Sequence, residues 1–289
     1  MTTTPQHSTT TDRRPVLVLG ATGKTGRRVA DRLRARGVDV RAGSRSASPA
    51  FDWDDASTWP AVLDGVRAVY VAYVPDLAVP GAAETVGAFA RQATAAGVER
   101  IVLLSGRGEP EAERAERAVQ AAGTPWTVVR CAWFAQNFDE SFLLDPVLTG
   151  EVALPVGDVR EPFVDVEDIA DVAVAALTED GHAGRLHELT GPEALTFAEA
   201  VGAIGAAIGR PVVHTEVPLP GFLAGLAAAG VPEDVAGLMA YLFTEVLDGR
   251  NTPTTDGVRE ALGRPARPFR DYVRDAAARG AWDVPAVAR

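Results

Sequence analysis

The chain has 289 residues, with 39 Asp and Glu against 28 Lys and Arg, and 47% of its residues are hydrophobic. Its net charge of −11 would be repelled by a phosphate backbone or an anionic bilayer, so neither nucleic acid nor a membrane surface is expected as a partner. Cys131 is the only cysteine and the histidines are scattered at 7, 182, 187 and 214, which argues against an intramolecular disulfide and against a metal site.

Residues 1–14, MTTTPQHSTTTDRR, are polar without an apolar core and read as a disordered tail. No apolar run reaches the roughly 20 residues of a membrane helix, and a cytoplasmic protein is expected. Val16–Leu19 is a short apolar run, as in a strand buried on both faces, and a helical pattern over 26–36 follows until Gly37 stops it. Further strands are read at 38–42, 51–53, 68–72, 101–104 and 127–130, with helices at 81–96 and 109–122. This alternation predicts an α/β fold, a Rossmann-type doubly wound parallel sheet with right-handed crossovers. Residues 15–150 read as that domain and 151–289 as a smaller C-terminal substrate lobe, with a helix at 166–177 returning to the first domain. Asp165 and Asp168 look like helix-start residues. Thr196 and Glu199 have the spacing of a capping box opening a helix over 197–209.

The first strand runs into Gly20-Ala-Thr-Gly23-Lys-Thr-Gly26. A nucleoside-triphosphate loop needs four residues between its glycines, which would put the first one at Val18, inside the strand. The remaining reading is a dinucleotide turn. Gly20 makes the bend, Gly23 lets a pyrophosphate approach, Gly26 lets the helix lie close to the strand, and Thr22, Lys24 and Thr25 complete the cradle. Lys24 is the only lysine in the chain. The second strand ends in Ser44 and Arg45, without the acid that would bind a ribose 2′-hydroxyl. Arg45 offers planar donors to a 2′-phosphate, so NADP(H) is preferred over NAD(H). Asp52 and Trp53 are candidates for the adenine side, weighed against an ordinary turn Asp beside a core Trp.

The segments LGATGKTGRRVA, SRSAS, FDWDDASTW, RIVLLSG, WTVVRCAWFAQNF, PFVDVEDIADVA, ELTGPEALTFAEA and VPEDVAGLMA together resemble the NmrA-like, atypical short-chain dehydrogenase/reductase family. Within it they most resemble the ergot-alkaloid reductase type. The resemblance implies an NADPH-dependent reductase whose small lobe closes over the nicotinamide, with Ala72, Tyr73, Val74 and Pro75 on the ribose–nicotinamide side. It puts Ser105 on the strand that faces the nicotinamide, and it aligns Arg130, Phe134 and Asn137 while Cys131 replaces a more usual proline.

Short-chain dehydrogenases that reduce ketones carry Tyr-x-x-x-Lys after the corresponding strand, and the family's spacing puts Gly108 and Ala112 at those positions here. GRGEPEAERAERAVQAAG contains neither Tyr nor Lys. Hydride delivery to a ketone makes an alkoxide that needs a proton. An iminium carbon needs none, and a quinone gives a stabilised oxyanion. The leading expectation is therefore reduction of an activated small molecule such as an imine or iminium, with NADPH:quinone or azo reduction as one alternative and a non-catalytic redox sensor as another. Tyr73 and Ser105 are the candidate hydrogen-bond donors. Trp133, Phe134, Asn137, Phe138 and Phe163 are the candidate substrate wall, against core packing for any one ring. The charges between Glu109 and Arg117 read as a solvated helix face, with Glu113 or Arg114 reaching the pocket as the alternative. A monomer or homodimer is expected.

Overall fold

The computed structural model describes residues 13–284. Most of the tail expected over 1–14 lies outside these residues, and Arg14 within them forms an ion pair with Glu99. The first half runs β1 (Val16–Leu19), α1 (Lys24–Ala35), β2 (Val40–Gly43), α2 (Trp59–Leu63), β3 (Ala68–Val71), α3 (Ala82–Ala95), β4 (Arg100–Gly106), α4 (Pro110–Gln120) and β5 (Trp126–Cys131). The second half runs α5 (Leu144–Thr149), β6 (Glu151–Leu154), β7 (Arg160–Glu161), α6 (Val166–Thr178), β8 (Arg185–Leu189), β9 (Leu195–Thr196), α7 (Phe197–Ile208), β10 (Val213–Glu216), α8 (Leu219–Ala228), α9 (Glu233–Tyr241), α10 (Gly257–Leu262) and α11 (Phe269–Ala278).

Six strands form a parallel sheet in the order β2-β1-β3-β4-β5-β8. All four β1 residues are inaccessible to solvent, because helices cover both faces of the sheet. On one face Val29 and Leu33 of α1 meet Ile169 and Val172 of α6. On the other, Trp59, Val62, Phe89 and Val119 come from α2, α3 and α4. The strand order reverses between β1 and β3, and at such a switch the loops beyond the carboxyl ends part to leave a crevice. The Rossmann-type doubly wound sheet expected from the sequence is thus the observed fold.

No strand forms at 51–53, contrary to the sequence reading. Phe51 and Trp53 are drawn instead onto Trp59 and Phe89, with Trp53–Phe89 centroids 5.3 Å apart. Their backbone groups are used locally: the Trp59 indole donates to the Asp52 carbonyl at 2.7 Å and the Phe51 N–H to the Ser44 carbonyl at 2.9 Å. β8 is a further strand at the sheet edge, not expected from the sequence because His187 and Glu188 stand together between Leu186 and Leu189 and leave no period-two apolar pattern.

A third apolar cluster, built around Phe138, Phe163, Phe197, Phe269 and Trp282, forms the core of the C-terminal lobe. There β6 pairs with β10 and β7 with β9. Thr196 and Glu199 make the reciprocal capping box at the head of α7, the Thr196 Oγ1 accepting from the Glu199 N–H at 3.1 Å. The chain then returns to the sheet twice, through α6, whose Glu167 and Asp171 pair with Arg28 and Arg32 of α1, and through α10, whose Val258 joins the α1–α6 core.

Candidate functional site

The turn after β1 is shaped by two glycines. Gly20 has φ +67°, and its carbonyl accepts from the Gly23 N–H at 2.9 Å. A Cβ on Gly26 would lie 2.1 Å from the Gly20 oxygen, so only glycine lets α1 start this close to the strand. Gly23 is the N-cap residue of α1, with no side-chain cap and no acidic residue in the first turn. The N–H groups of that turn are left for an anion, and the site fits a pyrophosphate. Thr25 is buried beneath the turn, Thr22 is exposed at its rim, and Lys24 is half-buried. Burial lowers the Lys24 pKa, opposed by the facing carboxylate of Glu140.

Across the crevice, Ala72 lies against the turn, 3.4 Å from where a Cβ on Gly20 would be. Beyond β2, Ser44 is half-buried with its Oγ 3.3 Å from that of Ser46, and Arg45 is exposed at the tip of the turn. Among the described residues no carboxylate engages Arg45. Asp52 uses Oδ1 to accept from the Asp54 N–H at 3.1 Å. Trp53 meets Tyr73 at a centroid distance of 4.9 Å, linking the loops after β2 and β3, while Val74 and Pro75 stand exposed beside it.

At the carboxyl end of β4, Ser105 is buried and its hydroxyl donates to Glu116 at 2.6 Å. The proton of this candidate donor is therefore committed to a carboxylate that also holds Arg130, at 2.9 Å from Nε. Burial is explained by periodicity: Glu116 shares the inward face of α4 with Ala112, Ala115 and Val119. That spacing was a readable signal, and treating the whole charge run as solvated missed it.

Glu109 also departs from the solvated face expected for these charges. It precedes α4, is 8% exposed, and its carboxyl oxygens lie against Gly106, 2.2 Å from where a Cβ there would be. Its side chain stands within hydrogen-bonding reach of the Asp76 carboxyl, in the loop after β3. Asp76 also accepts from the Ala78 N–H at 2.9 Å. Burial, then the charge of Asp76, pushes Glu109 well above the usual carboxylate range, and burial also raises Asp76. No sequence signal brings together two acids from separate loops.

The lobe side is a correction to the candidate substrate wall. Phe138 and Phe163 are 0% and 2% exposed, 5.4 Å apart, and pack against Phe197 and Phe269, so they form core rather than pocket wall. Trp133, Phe134 and Asn137 keep partial exposure. Trp133 lies 5.3 Å from Phe243, its Nε1 is buried without a partner, and its backbone N–H donates to Glu161 Oε1 at 3.1 Å. Glu161 is 2% exposed, its Oε2 receives no donor, and burial pushes its pKa up to about 7. Phe134 pairs with Val164 and leans on the sheet-side core. Asp165 caps α6, accepting from the Glu167 N–H at 2.9 Å, and buried Asp168 pairs with Arg264 at 2.6 Å. Among the described residues no three His, Cys, Asp or Glu side chains converge on a metal position, and no helix is long and apolar enough to cross a membrane.

A glycine turn without an acid in its helix start, at the switch point of a doubly wound sheet, defines a dinucleotide-binding architecture. Residues 20–180 match the NAD(P)H-binding family and residues 112–258 the NmrA-like family. An oxidoreductase of Bacillus subtilis, YesF, is 33% identical over 89% of this chain and 93% of its own. The NAD(P)H azoreductase of Xenophilus azovorans is 32% identical, covering 91% of this chain and 98% of its own. Agroclavine dehydrogenase of Claviceps fusiformis is 30% identical over 90% and 96%. The NADPH-dependent quinone oxidoreductase of Escherichia coli, solved with NADPH, shares the fold with a TM-score of 0.73 at 20% identity, over 91% of this chain and 99% of that one.

The chain belongs to the NmrA-like family of NAD(P)H-binding proteins and is an NAD(P)H-dependent oxidoreductase. The ergot-alkaloid type is not singled out, since an azoreductase and an agroclavine dehydrogenase resemble the chain to a similar degree.

Proposed function

We propose that the protein uses NADPH to reduce quinones or azo compounds. The observation that carries this reading is the state of β4 and α4. Lys24 is the only lysine, α4 has no Tyr, and the Ser105 proton is held by Glu116. A site so built lacks the Tyr-x-x-x-Lys acid of ketone reduction and suits an acceptor that is already electron-poor. The azoreductase likeness, over nearly the full length of both chains, supports the same acceptor class.

When bound, NADPH supplies the hydride. On this reading the Gly20, Thr22, Gly23, Lys24, Thr25 and Gly26 turn holds the pyrophosphate, and Ser44 and Arg45 meet the 2′-phosphate. Asp52 and Trp53 border the adenine, and Ala72, Tyr73, Val74 and Pro75 border the nicotinamide ribose. Trp133, Phe134 and Asn137 form the lobe side of the acceptor site, and the lobe after residue 150 covers it. Holding donor and acceptor in close register supplies most of the rate.

A second reading, reduction of a cyclic iminium, is favoured by the agroclavine dehydrogenase likeness and by the fact that a carbon of this kind needs no proton. Initial rates of NADPH and NADH oxidation with simple quinones, an azo dye, a cyclic iminium and a plain ketone decide between them. Quinone and azo turnover with NADPH is expected. Turnover of the iminium alone would replace the reading with the second one, and tight NADP binding with no turnover would overturn both.

A further inference from the structure

Glu109 and Asp76 stand out because their arrangement does not fit two ionised carboxylates. Oε2 of Glu109 is inaccessible to solvent and receives no N–H or O–H from any described residue. The Asp76 carboxyl instead stands within hydrogen-bonding reach of the Glu109 side chain. Two carboxylates form such a bond only if one of them keeps a proton, and burial makes a second negative charge there costly. The Gly106 hydrogen faces the pair at the carboxyl end of β4, and a side chain at that position would displace it. Asp76 follows β3, three residues after Tyr73, and is partly exposed, which gives the buried acid a route to water.

We propose that Asp76 and Glu109 share a single proton at the carboxyl ends of β3 and β4, and that this proton is delivered to the acceptor as it is reduced. The inference rests on the proposed reduction of quinones or azo compounds. The quinone accepts a hydride from NADPH, which is oxidised to NADP⁺, and one carbonyl oxygen becomes an oxyanion. The shared proton moves to that oxygen, a new O–H bond forms, and the carboxyl pair is left doubly ionised until it takes a proton back from water. For an azo acceptor the hydride adds to one nitrogen and the proton to the other. The pair thereby protonates the stabilised oxyanion of an electron-poor acceptor, a smaller task than protonating the alkoxide of a ketone, for which Tyr-x-x-x-Lys is used.

The groups that face Glu109 are Glu116 on α4, Cys131 on β5 and Tyr241 on α9. Glu116 and Asp76 both oppose a second ionisation, and neither Cys131 nor Tyr241 offers a compensating positive charge.

The test has two arms on the full-length protein. In the infrared spectrum of nucleotide-free protein at about pH 8.5, well above ordinary carboxyl values and above the value near 7 of Glu161, a protonated-carboxyl C=O band is expected. Glu109→Gln and Asp76→Asn should each remove it, the amide keeping the hydrogen bond to its neighbour. A wild-type spectrum without the band overturns the shared proton. In the second arm, Glu109→Gln should lower kcat for quinone reduction by about 100-fold or more, the usual worth of a positioned acid. KM for NADPH should stay within about twofold, and the decline of the wild-type rate at high pH should disappear. A quinone rate that is unchanged, or that falls with the same pH decline, overturns the delivery step. A wild-type protein inactive on every quinone and azo dye overturns the proposed function together with delivery, and the infrared band then decides proton sharing by itself.

Discussion

The Ser105 hydroxyl donates to Glu116 at 2.6 Å, and the same carboxylate binds the Arg130 guanidinium, so the ends of β4 and β5 are tied to the inner face of α4. Glu116 is 2% exposed, and Arg130 has no comparably buried second anion. Removing the acid leaves a guanidinium and a hydroxyl without their shared acceptor. Glu116→Ala should therefore destabilise the protein by about 3–5 kcal/mol, the cost of breaking a buried ion pair from one side. Urea unfolding measures this, and a loss below about 1 kcal/mol would refute the structural importance of the link.

Gly26→Ala should weaken NADPH binding by about 10-fold or more and cost about 1–3 kcal/mol of stability, because the new methyl group must displace the Gly20 carbonyl. Gly202→Ala, in α7 with open space around it, should be neutral or stabilising by up to about 1 kcal/mol. Thermal melts and equilibrium dialysis of the two variants separate close approach from a general intolerance of alanine.

Arg45 is exposed and has no carboxylate partner among the described residues, so its replacement should leave stability within about 0.5 kcal/mol. Arg45→Ala should raise the Kd for NADPH by about 10- to 100-fold, as for loss of a charge-assisted hydrogen bond, and leave NADH nearly unchanged. Equal losses for both nucleotides would remove Arg45 from the 2′-phosphate.

Glu161 is raised by burial to about 7 in the folded protein from an ordinary value near 4.5. The folded state binds its proton more tightly than the unfolded chain does, so this contribution to stability is present below about pH 4.5 and is lost as pH rises through about 7. Glu161→Gln keeps the acceptor for the Trp133 N–H and carries no charge. Relative to wild type it should gain stability between those pH values, and parallel pH profiles of the melting temperature would contradict the assignment.

His182 and His187 face each other with Nδ1 to Nε2 at 3.0 Å, one ring donating and one accepting while both are neutral. Burial lowers both, and His187 falls to about 4 from 6.5. Here the unfolded chain binds protons more readily, so the stability from the neutral pair is complete above about pH 6.5 and is lost as pH falls through about 4. His187→Asn should flatten the acid limb of the stability profile, and an unchanged limb would show that the pair carries none of it.

Much of the cofactor side was legible in the chain because it is local. A short apolar run, three glycines at intervals of three and a helix without an acid at its head require no distant partner, and they fold as one tight turn leading into α1. The alternation of strands and helices likewise specified a doubly wound sheet, since each segment's apolar pattern states which faces must be covered. Even the capping box of Thr196 and Glu199 follows from spacing alone.

Long-range packing decided the rest. Phe51 and Trp53 have strand-like sequence, but Trp59 and Phe89 offer them more apolar contact than an edge strand would, and no strand forms. Phe138 and Phe163 could equally have walled a pocket or filled a core until Phe197 and Phe269 closed over them. The acids differ most. Glu109 and Glu116 look in sequence like members of one charged helix face, but the fold buries the first against Gly106 beside Asp76 and the second beneath Ser105 and Arg130. Residue types and local spacing are enough to mark the dinucleotide turn and the missing Tyr-x-x-x-Lys acid. Which carboxyls meet follows from the packed fold, because a carboxyl's proton affinity depends on burial and on neighbours supplied by other strands.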